Sequence, residues 1–396
     1  MRKCKLGDIA EFKNGINYEK TEIGHKYSCI GVSDFKNKTT IHGNYVSSSI
    51  ELDSELNDEY FLQDEDILLV RSNGNKQLIG RSILVYPDNR KITYSGFCIR
   101  CRIIDKNVYP KFIFLKIKDA LNHGIFAKSQ QTNINNINQS LLGELDIILP
   151  ESNIQKKLAD MYFYINDKIG VNNRLNATLE AMAKTLYDYW FVQFDFPDEH
   201  GRPYKTSGGS MMYNEELGRE IPTGWEVTTI GNVLGKYPRT ESILRDSYQK
   251  GNMYPIIDQS QKFICGYTDC KEFLLHLKDA IVFGDHTNIS KYVNFDFARG
   301  ADGTQIITSA ICRLPNYLLY MQIISLPIIE KGYSRHFKFL KQQNIFIPFQ
   351  EISNLYTDKV TPMLQKKREI LQENRRLTQL RDFLLPLLMN GQVTFK

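Results

Sequence analysis

Over its first 150 residues the chain alternates short apolar runs with polar turns. "DILLVRSNG", "RSILVYP" and "FCIRCRII" are Ile-, Leu-, Val-, Phe- and Cys-rich stretches bounded by Asn, Gly and Pro, the pattern of strands. After Pro150 the period changes. Ile154, Leu158, Met161, Ile165, Lys168, Asn172, Leu175, Leu179, Met182, Leu186 and Tyr189 follow alternating steps of four and three, and nine of these eleven are apolar or aromatic. This spacing predicts a long helix with a coiled-coil seam, in which a buried Asn172 would fix register. Strand-like runs return in "AIVFGD" and "TQIITSAICRL". A second seam then follows: Ile352, Tyr356, Lys359, Met363, Lys366, Ile370, Glu373, Leu377, Leu380, Leu384 and Leu387. Its last third is strongly apolar and its middle polar. Thr361-Pro362 reads as an N-cap and first helical residue, so a break or restart is expected there, with a kink or stop at Pro386. Each helix has up to ~40 residues, or about 60 Å at 1.5 Å per residue.

The two halves match each other. "LDIILP" (145–150) aligns with "QNIFIP" (343–348) and "TLEAMAKTLYDYW" with "RLTQLRDFLLPLL", both at an offset of 198 residues. "LGDI" matches "IGNV" at an offset of 224, and "DILLVRSNGN" matches "DAIVFGDHTN" at 213. A drifting offset signifies loops of different length on a shared scaffold. The reading is an α+β protein with a pseudo-two-fold internal repeat. It assigns one strand-rich globular unit to 1–150, a helix to 151–193, an extended connector to 194–222, a second globular unit to 223–348 and a second helix to 349–396. Antiparallel pairing of the two helices would bury both seams and leave the globular units at opposite ends, a caliper able to span duplex DNA.

Composition narrows the class. Hydrophobic residues make up 42% and charged residues 24% of the chain, ordinary for a globular protein. No apolar run approaches the ~18 residues of a membrane span, and charges interrupt the N-terminus before a signal sequence forms, so the protein is expected to be cytoplasmic. Seven Cys do not make a disulfide framework. Cys98-x-x-Cys101 lies in a strand with no second pair at zinc spacing, which favours buried thiols over a metal site. No P-loop, dinucleotide fingerprint, Asn-Pro-Pro-aromatic signature or hydrolytic constellation occurs. A non-catalytic role is therefore expected, and no metal site.

The net charge is +5, and its distribution says more than its size. Residues 51–66 hold eight acids and no base, residues 67–143 a net +9, and residues 331–341 four bases and no acid. Such segregation lets one face follow a phosphate backbone. It is also compatible with an unevenly charged solvated surface. Candidate DNA-contacting residues fall in a few stretches. "RSNGNKQLIGR" offers Arg71, Ser72, Asn73, Asn75, Lys76 and Arg81. "KSQQTNINNINQS" offers Lys128, Gln130, Gln131, Asn133, Asn135 and Asn136, whose amides suit the N6/N7 edge of adenine but equally suit turns and caps. "KGYSRHFKFLK" offers Lys331, Ser334, Arg335, His336 and Lys338, or else a solvated amphipathic helix. "FGDHTN" adds His286 and Asn288, and "KYPRTESILRDSYQKG" adds Arg239.

These residues resemble a known family, the specificity subunits of type I restriction–modification systems. "LEAMAKTLYDYWFVQFDFPDEHGRPYKTSGG" looks like the end of that family's central conserved helix and its exit. "GREIPTGWEVTTIGNV" looks like the entry to its second target-recognition domain, and "LTQLRDFLLPLLMNGQV" like its C-terminal conserved helix. "FGDHTN" with "ARGADGTQII" resembles a pattern common in the recognition domains. The resemblance implies that each globular unit is a target-recognition domain reading one part of a split double-stranded DNA target. It implies that the helices set the gap and dock two modification subunits. S-adenosylmethionine would be held by those partners, and ATP and Mg²⁺ used by restriction subunits that join the assembly, with no cofactor bound by this chain. A coiled-coil interaction scaffold that binds no DNA is the alternative.

Overall fold

The computed structural model describes residues 2–18, 24–36, 38–46, 48–75, 78–122, 136–238, 240–249, 253–301, 303–327 and 335–389. The chain divides into two compact units: unit 1 comprises residues 1–171 and 374–396, and unit 2 residues 172–373.

Unit 1 is built on a five-stranded sheet in the order Ala10–Asn14, Cys98–Ile103, Asp66–Val70, Ser82–Tyr86, Thr40–His42. The apolar run in Asp66–Val70 is buried along its whole length, and its side chains alternate between two cores, as the two-residue period of a strand requires. Ile67 and Leu69 face a cluster with Phe112, Leu115 and Leu158. Leu68 and Val70 face a second cluster with Ile30, Ile92 and Tyr94. Cys101 belongs to the first cluster and Cys98 to the second. The two thiols thus lie on opposite faces of their strand and cannot share a metal. Burial raises the Cys98 thiol to a pKa of about 12. Arg2–Lys5 pairs antiparallel with Asp146–Leu149, and the Leu6 N–H donates to the Leu145 carbonyl at 2.9 Å.

Unit 2 centres on Ala280–Gly284, flanked by Ser290–Val293 and Thr304–Ile307. Its residues alternate in the same way: Ile281 and Phe283 join one core and Ala280 and Val282 another. A four-stranded sheet contains Tyr254–Ile257 and Phe297–Arg299 as its inner strands. Glu226–Thr229 pairs antiparallel with Asn344–Ile347, and the Ile230 N–H donates to the Gln343 carbonyl at 3.0 Å.

Residues 194–222 are not an extended connector. Met211–Asn214 and Arg219–Pro222 form an antiparallel hairpin, and Phe194, Phe196 and Ile221 are buried. Phe196 stacks on Tyr204 and on Trp225, with ring centroids at 4.6 and 5.5 Å. Gly201, Gly208 and Gly218, which read as linker residues, sit in turns and bends instead, and Pro197 and Pro203 are partners in a β-bridge. All three glycines have positive φ, which glycine adopts without a Cβ penalty.

The two long helices are Ser152–Tyr187, continued by a π-type turn over Asp188–Val192, and Gln350–Met389. The boundary between the units falls within both. In unit 1, Arg381 donates to Asn166 Oδ1 at 3.1 Å, and Leu384 and Leu385 join the cluster of Leu158, Ala159 and Tyr162. In unit 2, Asn172 Nδ2 donates to Glu373 Oε2 at 2.8 Å, Lys367 pairs with Glu180, and Trp190 lies 6.0 Å from Tyr356 between ring centroids. Neither Thr361-Pro362 nor Pro386 breaks the second helix. Pro362 and Asp358, whose carbonyl the missing N–H leaves free, both stand on the exposed side, where water replaces the lost bond.

The heptad reading needs correction along the seams. Leu158, Ile165 and Asn172 are buried as expected, whereas Leu175 and Met182 are exposed and Ala183 and Tyr187 buried in their place. A straight helix repeats every 3.6 residues, so a strict 3.5-residue spacing drifts by about 20° per heptad and the buried line moves to later residues. In the second helix Ile352, Tyr356 and Ile370 are buried, but Leu380 is exposed, and Val360 and Leu364 are buried rather than Lys359 and Lys366. Ile154, Met161, Leu179, Leu186, Met363, Leu377, Leu384 and Leu387 are half-buried.

Candidate nucleic-acid interface

In each unit the fully buried strand ends at the surface and delivers a polar hairpin loop. In unit 1, Asp66–Val70 leads into residues 71–81 and returns as Ser82–Tyr86. The loop is anchored at its base, where the Val70 and Arg81 backbones are joined at 2.9 Å and the Gly80 N–H also reaches the Val70 carbonyl at 2.9 Å. At its tip the Asn75 N–H donates to Asn73 Oδ1 at 2.8 Å, a local turn of the kind Asn favours. The Ile137 N–H donates to the Arg71 carbonyl at 2.8 Å, and Arg71 Nε reaches Asn136 Oδ1 at 3.5 Å. Two stretches that the sequence offers separately therefore meet here: Arg71, Ser72, Asn73 and Asn75 on one side, Asn136 on the other. Arg81 is exposed and directs its guanidinium to the Lys36 carbonyl at 3.3 Å. Asn138 is exposed but is engaged as a cap. Its Oδ1 accepts the Leu141 N–H at 2.7 Å and caps the short helix Gln139–Gly143.

Unit 2 repeats the arrangement with different chemistry. Ala280–Gly284 leads into Asp285–Ile289 and returns as Ser290–Val293. Burial ends abruptly: Asp285 is 5% exposed, while His286 and Thr287 face solvent. Asn288 has φ 56°, a left-handed conformation that Asn tolerates better than most residues. Across the loop, the Asp285 carbonyl accepts the His336 N–H and Asp285 Oδ1 accepts the Phe337 N–H, both at 2.8 Å. These bonds bring Arg335 and Lys338, both exposed, next to His286 and Asn288.

His336 itself is 7% exposed and is removed from the set of surface-reading side chains. It starts the short helix His336–Leu340, whose buried face includes His336 and Leu340, so a helical repeat turns it inward. Lys76, Lys128, Gln130, Gln131, Asn133, Asn135, Arg239, Lys331 and Ser334 lie outside the described residues.

One residue of this surface carries no sequence signal. Gln259 sits in the polar run "DQSQK", where nothing distinguishes it from its neighbours. Its Oε1 accepts the His286 N–H at 3.1 Å and its carbonyl accepts the Thr287 hydroxyl at 2.7 Å. The adjacent Asp258 is buried and accepts the Ser260 N–H at 2.8 Å, the Cys265 thiol at 2.6 Å and the Tyr248 hydroxyl at 3.2 Å. Burial pushes its carboxyl up, but the bonds from Cys265 and Ser260 outweigh that cost and leave it below the ordinary value. Lys291, also buried, donates to the Asp258 carbonyl at 2.7 Å. Among the described residues no group of three or more His, Cys, Asp or Glu is arranged to hold a metal ion. No described helix is long and apolar enough to cross a membrane.

Comparison with known proteins adds the context of these loops. The family described as the type I restriction modification DNA specificity domain matches residues 1–181. The type I restriction enzyme MjaIX specificity subunit of Methanocaldococcus jannaschii is 26% identical over 279 residues, spanning 64% of this chain and 62% of that protein. The type I restriction enzyme StySPI specificity subunit of Salmonella potsdam is 29% identical over 230 residues, spanning 54% of this chain and 49% of its own length. The match thus covers less than two thirds of either relative. The crystal structure of the type I restriction-modification S subunit from M. genitalium superposes with a TM-score of 0.54 at 14% identity, covering 100% of this chain and 96% of the other. That likeness is one of fold.

Proposed function

We propose that the chain is the DNA-reading, non-catalytic member of a methyltransferase and endonuclease assembly, a reading supported by the likeness of residues 1–181 to the type I restriction modification DNA specificity domain and by the similarity to type I restriction enzyme specificity subunits. Each unit reads one half of a bipartite double-stranded target. Phosphate contacts come from the scattered Lys and Arg, and base contacts from the amide- and Arg-bearing loops. The observation that carries this reading is the convergence, in each unit, of the hairpin loop after the buried strand with the segment before a short helix. It gathers Arg, Asn and His side chains on one surface of the kind that recognises base edges.

The two units are read as copies of one plan. The equivalent bonds Leu6–Leu145 and Ile230–Gln343 stand at the offsets of 224 and 198 that relate the two halves of the sequence. The long helices are read as an antiparallel coiled coil, supported by partners whose numbers rise on one helix as they fall on the other: 166 with 381, 172 with 373, 180 with 367. In this role they set the gap between half-sites and dock two modification subunits. Those partners supply S-adenosylmethionine, and restriction subunits use ATP and Mg²⁺.

The test is a mobility-shift titration of the chain with its modification subunits against salt. The logarithm of the affinity for the target is expected to fall linearly with log salt as counterions are released from phosphate contacts. Arg335→Ala should weaken or relax recognition at one half-site, by roughly five- to a hundredfold for each base that is no longer read. No shift of target DNA at any salt concentration would favour a scaffold that binds no DNA, and an unaltered preference in Arg335→Ala would remove that residue from the reading surface. A second experiment addresses the helices. Removing one heptad from 154–189, with the matching heptad from the second helix, is expected to change the permitted gap between half-sites, read from the positions of methylated bases. An unchanged gap would refute the spacing role.

A further inference from the structure

We propose that Asp285 and Gln259 are positioning residues that determine which bases unit 2 accepts, by holding the exposed His286 and Arg335 and the half-buried Asn288 in one fixed register. The proposal rests on the reading of unit 2 as a DNA-recognition unit. Neither residue is well placed to meet a ligand as its main task. The Asp285 carboxylate is buried, and the Gln259 side-chain oxygen is taken up by the His286 N–H. What they share is that their bonds hold backbone beside solvent-facing side chains: Gln259 accepts the N–H of the exposed His286, and Asp285 accepts the N–H groups of His336 and Phe337, which follow the exposed Arg335.

Clamps act on four consecutive loop residues, Asp285 to Asn288. The Asp285 N–H donates to the Gly303 carbonyl at 2.7 Å, and the Asn288 N–H to the Gly284 carbonyl at 2.9 Å. Gln259 takes His286 and Thr287 through its side chain and its carbonyl. Asp285 then takes His336 and Phe337 across the loop, which fixes the turn carrying Arg335. The base of the Gln259 clamp is itself immobilised, because Asp258 and its carbonyl are held by Ser260, Cys265, Tyr248 and Lys291.

A loop needed only to close a hairpin would not require a buried carboxylate, which is costly unless hydrogen-bonded. Base discrimination does require it, since a displacement of about half an ångström is enough to spoil a directional hydrogen bond. Gly303 shows how tight the site is. Its φ is 71°, and a Cβ placed there would lie 2.5 Å from the His286 ring and 3.0 Å from Gln259 Nε2. In the sequence match between the halves, Ser72 stands where unit 2 has Asp285. The carboxylate clamp is therefore a feature of unit 2, and its loss should be felt at one half-site.

The experiment uses the full chain assembled with its modification subunits and a library of duplexes randomised at both half-sites, with methylated or bound sequences counted. Asp285→Ala and Gln259→Ala are expected to lower discrimination by about tenfold or more at bases of one half-site, leaving the other half-site as in the parent. Asp285→Asn and Gln259→Glu retain the accepting oxygen and should preserve most of the preference, a rescue that bulk destabilisation would not give. If an alanine variant melts early, Gly303→Ala displaces His286 and Gln259 independently and should alter the same positions. Unchanged preference in the alanine variants, or equal loss at both half-sites, overturns the positioning role. A parent assembly that selects no bipartite sequence at all brings down the DNA-reading function itself, a distinguishable result.

Discussion

Replacing Phe191 with alanine is expected to destabilise unit 2 by about 3–5 kcal/mol, the range for removing a fully buried aromatic ring. Phe191 is 0% exposed and lies where the first long helix meets the rest of the unit. Its ring centroid is 4.9 Å from that of Tyr356 on the second long helix, 5.6 Å from Tyr187, and 5.9 Å from both Trp225 and Phe346. Four elements thus lose their common neighbour at once, and a cavity surrounded by rigid rings collapses poorly. For a unit of this size the melting transition should fall by on the order of 10 °C. Phe191→Leu, which retains much of the volume, should cost well under half as much. Calorimetry of both variants checks this. Equal losses, or a loss below about 1 kcal/mol for alanine, would show that the cluster is not a shared anchor.

The second large effect is expected in unit 1. Asp66 begins the central strand with its side chain 1% exposed, and it accepts two bonds from Arg102, at 2.8 and 2.7 Å, and the Gln63 N–H at 2.7 Å. Arg102 also donates to the Phe61 carbonyl at 3.1 Å. Asp66→Ala strands a partly buried guanidinium and should cost roughly 3 kcal/mol. Removing both partners, as Asp66→Leu with Arg102→Met, should cost less than Asp66→Ala alone, because no unpaired charge is left behind. A denaturant-melting double-mutant cycle measures the difference. Additive losses would mean that the two groups act independently.

Much of the plan of each unit is legible without coordinates. The burial of both faces of Asp66–Val70 is written in its unbroken apolar run, as that of Ala280–Gly284 is in "AIVF". The long helices are written in their four-three spacing. The polar pair Asn172 and Glu373 appears in the sequence as two interruptions of apolar seams, and the fold joins them by a hydrogen bond. Less legible is which seam positions are buried. The choice between Met182 and Ala183 rests on a drift of a few tens of degrees, and the larger residue is the exposed one. Pro362 misleads for a related reason: its effect depends on whether the freed carbonyl meets water, a property of the packed face and not of the dipeptide.

The candidate site divides in the same way. Arg71, Asn73, His286 and Asn288 attract notice as polar residues at the ends of strand-like runs, and Arg335 as one of four bases in an acid-free stretch. Gln259 does not, and His336 attracts notice that its burial withdraws. The bond from His286 to Gln259 spans 27 residues and that from Phe337 to Asp285 spans 52. No local periodicity encodes such pairs, because each partner on its own is an ordinary polar residue in a turn.

Sequence alone points to the buried strands and to the two long helices, because the spacing of apolar side chains along a chain is set by the geometry of helix and strand. Only the tertiary structure decides which loops converge, which seam residues are covered and how residues 194–222 fold. Those outcomes are fixed by contacts between distant segments, whose free energy exists only once the cores that carry them have formed.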